Sequence, residues 1–183
     1  MVCLGACGQP GTQDVDAAPP DGDAGIDAPP CDPERPRAAV PESLVGPQVS
    51  AFGLEERVIA AIDAATTSVD VQMYAFTKTN IADRLIAAKN RGARVRVILD
   101  PSQPNDTVVA RLAGGGITAV DAPAGFANSH AKYLIVDGNR AVILSGNFTS
   151  AGLDDQRNYG LDDRDPEDVA ALVEVFAADL ANW

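Results

Sequence analysis

From residue 54 onward, apolar positions follow two patterns that take turns along the chain. Leu54, Val58, Ile59 and Ile62 recur at helical spacing and predict an amphipathic helix over 54–66. Ser68 to Phe76 then alternates, with Val69, Val71 and Met73 on one face and Asp70, Gln72 and Tyr74 on the other, as a strand does. Ile81, Leu85 and Ile86 mark a second helix, closed by Gly92 just past its end. Val95, Val97 and Leu99 form a strand that stops at Asp100-Pro101. A third helix is expected over 107–113, ended by the turn Gly114-Gly115-Gly116 before a strand at 117–120. Further strands are expected at 132–136, 141–144 and 159–162. Val169, Leu172, Val173, Phe176 and Leu180 place a last helix at 166–181, with Asp162, Asp163 and Asp165 as a solvated turn ahead of it. Upstream, Gln48 to Phe52 reads as a short strand that Gly53 breaks. Strands alternating with helices of this length predict an α/β fold, a three-layer sandwich with a mostly parallel central sheet. The chain ends just after the last helix, with Trp183 as a packing residue, so a single domain over 41–183 is expected to be complete.

Residues 8–40 break both patterns. They are dominated by Gly, Pro, Asp and Ala, a composition that cannot bury enough apolar surface to offset chain entropy, and they read as a disordered linker. Ahead of it, residues 1–7 end in Leu4-Gly5-Ala6-Cys7, which looks like a bacterial lipobox with Cys7 as the lipidated residue. The basic and apolar regions of a secretory signal are missing. Either the natural start lies upstream or the four-residue match is fortuitous. The expectation drawn from leader and linker together is an extracytoplasmic protein, anchored to a membrane as a lipoprotein through Cys7.

The formal net charge of −12 is shared by both parts. Residues 1–37 hold seven acids against Arg35 and Arg37, and the remainder holds 19 acids against 12 bases. Nucleic-acid binders usually carry a basic footprint, because counterion release drives much of their affinity. The opposite sign here lowers the odds of that class unless Arg91, Arg94 and Arg96 line a local groove. All three cysteines fall within the first 31 residues, so the domain has neither a disulfide framework nor a cysteine-based zinc site. No metal cluster or nucleotide-binding loop is visible, and no cofactor is expected.

The chain has one histidine, in His130-Ala131-Lys132-Tyr133-Leu134-Ile135-Val136-Asp137. Alternation along a strand puts His130 and Lys132 on one face. Ten residues beyond Asp137 comes Asn147, within Ser145-Gly146-Asn147-Phe148-Thr149-Ser150. HxKxxxxD followed by Ser-x-Asn at this distance resembles the HKD motif of the phospholipase D superfamily. The likeness extends upstream through Leu54-Glu55-Glu56, the Tyr74 strand and Arg94 to Asp100, and covers roughly residues 48–183.

The resemblance implies a phosphodiesterase with His130 as nucleophile, forming a covalent phosphohistidine. Lys132 and Asn147 would supply donors to the phosphate, with Ser145 as an additional one. Asp137 completes the catalytic set in a supporting rather than a direct role. Tyr74 is placed equally well lining the site or in the core. A second imidazole must protonate the leaving alcohol and then activate water. Family members with one motif obtain it by dimerising, which implies a homodimer sharing one active site. Two positions depart from the family pattern. Leu144 stands where a Gly precedes the Ser, which would crowd the approach to the phosphate. Asn158 stands where an acid orients the histidine, and Asp154, Asp155 or Asp162 are candidates to replace that acid. Phospholipid is the expected substrate, with other small phosphodiesters beside it and nucleic acid as the runner-up; the third reading is a degenerate domain that binds phosphodiesters without turnover.

Overall fold

The computed structural model describes residues 37–46 and 53–181. The leader with Cys7 and Cys31, the strand expected at 48–52 and Trp183 lie outside the described residues. The elements run β1 (Glu42–Gly46), α1 (Leu54–Asp63), β2 (Ser68–Met73), α2 (Thr79–Asn90), β3 (Arg94–Leu99) and α3 (Asp106–Gly114). They continue with β4 (Ala119–Asp121), β5 (Lys132–Val136), β6 (Arg140–Leu144), β7 (Asn158–Asp163) and α4 (Pro166–Ala181). A π-helical turn, Ala151–Asp155, precedes β7 and carried no periodic signal.

The seven strands form one sheet in the order β1-β7-β6-β5-β2-β3-β4. Its register is parallel only across β2–β3 and β3–β4, where α2 and α3 supply the crossovers that parallel pairing requires. The β2–β5, β5–β6, β6–β7 and β1–β7 pairs are antiparallel, so the sheet is mixed rather than mostly parallel. The reason lies in residues 122–157, which hold no α-helix to carry a crossover; β5 returns into β6 through a tight turn instead. Strand β1 pairs with β7 at the sheet edge, at residues where only the onset of order is expected from the sequence.

Three layers result. One face of the sheet carries the larger core, in which Leu54, Val58 and Ile62 of α1, Ile81 and Leu85 of α2 and Val108 and Leu112 of α3 cover Val69, Val71, Val97 and Leu134. The opposite face carries α4, whose Val169 and Phe176 pack on Ile98, Tyr133, Ile135 and Ala141. The acidic turn ahead of α4 is not solvated. Asp162 is buried in a bidentate pair with Arg140 (2.8 and 2.6 Å). Asp163 accepts from Arg37 at 3.0 Å. Asp165 accepts the Glu167 N–H at 3.1 Å at the start of α4, with Pro166 in the first helical position, where its missing N–H costs nothing.

Strand β5 is fixed at its far end by Asp137. This residue and Gly138 both have positive φ (52° and 65°), in a turn closed by the Asn139 N–H to the Val136 carbonyl at 3.1 Å. The Asp137 carboxylate accepts the backbone N–H groups of Thr66, Thr67 and Ser68 and the hydroxyls of Thr66 and Thr67, at 2.7–3.1 Å. Partial burial alone would push its pKa up, but these donors to the charged form win and hold it well below the usual carboxylate range. Asn tolerates the left-handed backbone, so Asp137→Asn should fold yet lose about 2 kcal/mol of stability at neutral pH in urea unfolding. A folded-state pKa below the unfolded one means the contribution is complete above about pH 4 and shrinks as pH falls toward the depressed value. The gap between the two proteins should therefore narrow progressively below about pH 4; a gap that stays constant there would contradict the carboxylate's role.

Candidate active site

Because β5 runs antiparallel to β2, its first residue Lys132 stands opposite Met73, the last of β2. β3 and β6 end at the same edge of the sheet, so the segments around 74–78, 100–105, 128–131 and 145–150 converge there. His130 sits just before β5 and is exposed. Its ring meets the Tyr74 ring edge-on, with centroids 4.5 Å apart and an interplanar angle of 63°. Tyr74 therefore lines the site. The Tyr74 hydroxyl in turn accepts from Gln103 Nε2 at 2.7 Å.

Lys132 lies beneath this pair. Its side chain is buried, its Nζ donates to the His130 carbonyl at 3.0 Å, and it stands 5.2 Å from the Tyr74 ring centroid. Burial pushes its pKa down. No carboxylate pairs with it among the described residues. An ammonium held in this way retains donors for an incoming anion. Asn147 reaches the same edge: its Oδ1 accepts the Ala75 N–H at 3.3 Å, and its amide NH2 makes no hydrogen bond among the described residues. Gly152 packs against the Asn147 backbone, where a Cβ would come within 2.5 Å of the carbonyl oxygen.

The remaining expected residues are placed differently. Asp137 is at the opposite end of β5, about 23 Å along the chain from His130 at roughly 3.3 Å per residue, so it positions the strand and does not touch the site. Ser145 donates to Asn158 Oδ1 at 2.8 Å and accepts the Tyr159 N–H at 2.9 Å. Asn158 Nδ2 donates to the Gly152 carbonyl at 2.9 Å. The two are thus brought together but face one another. Of the acids weighed as replacements for the one missing at 158, Asp154 pairs with Lys78 at 2.7 Å and Asp162 with Arg140 at 2.6 Å. Leu144 points into the fold. It is buried in the larger core, in the space that Gly160 leaves, where a Cβ would come within 2.6 Å of it.

Sequence reasoning missed the loop after β3. Asp100, read only as a strand end, is 3% exposed and accepts the Ser129 N–H at 2.5 Å, next to His130. Its other oxygen accepts the Ser102 N–H and hydroxyl at 2.9 and 2.5 Å. Asn105 joins this loop to the one after β2, accepting the Phe76 N–H at 2.8 Å and donating to the Asp100 carbonyl at 3.0 Å. Asp-Pro-Ser in sequence is an ordinary turn signature, so nothing local distinguishes these residues.

A three-layer sandwich with this histidine, lysine and asparagine at one sheet edge is the arrangement of a phospholipase D-like domain. The family description "Cardiolipin synthase, PLD-like domain" matches residues 58–180, and the chain belongs to that family. Among curated relatives, it is 30% identical over 94 residues to the mitochondrial cardiolipin hydrolase of Chlamydomonas reinhardtii, covering 50% of this chain and 41% of the relative. It is 29% identical over 136 residues to the phospholipase D of Rickettsia conorii, covering 72% and 62%. The chain thus spans about half the length of the curated relatives it matches. Among solved structures, Nuc, a phospholipase D family member from Salmonella typhimurium, superposes with a TM-score of 0.69 at 27% identity, over 78% of this chain and 96% of that one.

Among the described residues the Lys132 ammonium bonds only to a carbonyl, so its loss should be felt in turnover more than in folding. Lys132→Met is expected to lower kcat about 10²–10³-fold, the scale of removing one preorganised donor, with a thermal midpoint within a few degrees of the unsubstituted protein. A fall in stability that accounts for the whole activity loss would make Lys132 a structural residue instead.

Proposed function

We propose that the domain is a phosphodiesterase of the phospholipase D type that cleaves a phospholipid or other small phosphodiester through a phosphohistidine at His130. The observation that carries this reading is an exposed imidazole at the same sheet edge as an ammonium and an amide that have no anionic partner among the described residues. In the first step an imidazole nitrogen of His130 bonds to phosphorus and the bond to the leaving alcohol breaks, the proton coming from a second imidazole. That imidazole then takes a proton from water, whose oxygen attacks phosphorus and releases His130. Lys132 and Asn147 hold the non-bridging oxygens, whose charge otherwise repels the nucleophile.

In this reading the second imidazole comes from a second copy, since the 183 residues hold one histidine. A surface suited to that copy adjoins the site. Val45, Ile143, Tyr159 and Leu161 share the face on which α4 packs, but Val45 and Tyr159 are 40% and 57% exposed. With Ser145 they line an open, largely apolar groove of about 370 Å³. A homodimer closed over this face would bring apolar surface out of water while completing the active centre. Tyr159→Arg should shift the protein from dimer to monomer in light scattering and cut specific activity at least tenfold. An active monomer would remove the shared-site reading.

For substrate, the arginines bear on the choice. Arg96 is held bidentately by buried Asp70 (2.7 and 2.6 Å), Arg94 stands 3.8 Å from the same carboxylate, and Arg91 donates to the Ile62 and Asp63 carbonyls. β3 begins at Arg94, so these residues lie at the end of the sheet opposite the site. They offer no track for a polyanion, and relatives bearing the names cardiolipin hydrolase and phospholipase D point the same way. Purified protein with EDTA, at about 0.15 M salt where charges are screened beyond roughly 8 Å, should show higher kcat/KM on phosphatidyl lipids than on single-stranded DNA. His130→Ala should abolish both. A higher value on DNA that is lost in His130→Ala would make the domain a nuclease, and no turnover on either would favour a binding domain.

Lipidation of Cys7 and display outside the cytoplasm complete the reading, resting on Leu4-Gly5-Ala6-Cys7 and the linker composition. No helix among the described residues is long and apolar enough to cross a membrane, so attachment would run through the acyl group. Recovery of the native protein from the soluble cytosolic fraction with unmodified Cys7 would refute this.

A further inference from the structure

We infer that Asp100 is the positioning carboxylate of the site: held at the end of β3 against Ser129, it fixes His130 and balances the positive charge its imidazole acquires during the reaction. This rests on the reading of His130 as the reacting imidazole and supplies the orienting acid that Asn158 cannot.

The geometry is that of a buried carboxylate bonded to the loop that carries the histidine. Asp100 is 3% exposed, yet no lysine or arginine pairs with it among the described residues. A buried carboxylate without a cation is costly unless donors or a developing cation compensate it. Three donors do so in the resting state: the Ser129 N–H at 2.5 Å and the Ser102 N–H and hydroxyl at 2.9 and 2.5 Å. The first of these is the peptide next to His130, so Asp100 grips the loop that carries the histidine. The same loop is gripped from the other side. Gln72 donates to the Ser129 hydroxyl at 3.1 Å and to Asp179 of α4 at 2.6 Å, while the Tyr133 hydroxyl donates to Gln72 Oε1. His130 therefore sits between Tyr74, itself held by Gln103, and a loop anchored on Asp100.

Other charged or titratable groups on the surrounding elements are Tyr74 after β2, Lys132 and Tyr133 on β5, Asp106 at the start of α3, Asp121 at the end of β4 and Asp179 on α4. Asp106 and Asp121 are exposed, Asp179 is engaged by Gln72, and Lys132 bonds to the His130 carbonyl. Burial alone would push the Asp100 carboxyl up; the serine donors and the nearby His130 charge together hold it below its ordinary value.

His130 is the chain's only histidine, so in protein without a histidine tag its imidazole resonance needs no assignment. In Asp100→Asn, which keeps an acceptor for one of the two serines, the imidazole should titrate at lower pH than in the unsubstituted protein, because a carboxylate near a cation favours the charged form. The acid limb of the kcat/KM profile should move the same way, with kcat reduced about 10–100-fold. Ser102→Ala, which removes a donor but no charge, should leave the midpoint in place. A second measurement needs no change at Asp100. In the unsubstituted protein the ¹³C-labelled Asp100 carboxylate should show a shift step at the imidazole midpoint, absent in His130→Gln. An unmoved midpoint in folded Asp100→Asn, an equal shift in Ser102→Ala, or no shared step would overturn the inference. The titrations need no turnover, so they stand apart from any failure to find a lipid substrate.

Discussion

Six hydrogen bonds converge on the Asp137 carboxylate and lock the end of β5 to the start of β2. Everything at the opposite edge depends on that register. A slip of one residue turns every side chain of a strand to the other face. It would exchange Lys132 with Tyr133, placing a cation in the α4 core and a phenol under the histidine. β2, to which β5 is locked, is the strand where the parallel half of the sheet meets the antiparallel half. The aspartate of the motif thus serves chemistry at a distance, by making the position of Lys132 non-negotiable.

Buried charge in this domain falls into two kinds. Asp70 with Arg96, and Asp162 with Arg140 and Arg57, are paired inside the sheet layers. Arg96 also lies over the Phe176 ring at 4.9 Å. Pairs of this sort seldom add much stability, but removing one partner leaves an uncompensated buried charge. They engage Arg96 of β3 and Arg140 of β6 inside the sheet layers. The second kind is unpaired: Lys132 and Asp100 are both buried at the catalytic edge, and neither has a partner of opposite charge among the described residues. Charges inside the sheet layers are neutralised by one another, whereas those at the site edge are held by neutral donors and acceptors.

The departures from the family pattern at 144 and 158 are met by local rearrangement. Leu144 fills the space over Gly160 within the core. Asn158 closes a neutral network with Ser145 and Gly152. The net effect is a site whose nearest carboxylate to the histidine loop comes from β3 rather than from β7.

The sequence alone determined most of the helices, the strands, the three-layer class and the identity of His130, Lys132 and Asn147. Those follow from periodicity and from a spacing of residue types that is local along the chain. Strand direction was only half legible, because it depends on whether a helix spans each connection, and the stretch from 122 to 157 has none. Asp162, Asp163 and Asp165 look like a solvated turn because adjacent acids usually are one; only the arrival of Arg140, Arg37 and the α4 amino terminus makes them interior. Tyr74 could be core or site until the fold set its ring 4.5 Å from the imidazole. Asp100 was hidden most completely, since its meaning comes from Ser129, 29 residues away. A carboxylate carries the same signal in sequence whether it faces water or a histidine, and tertiary structure alone decides its neighbours.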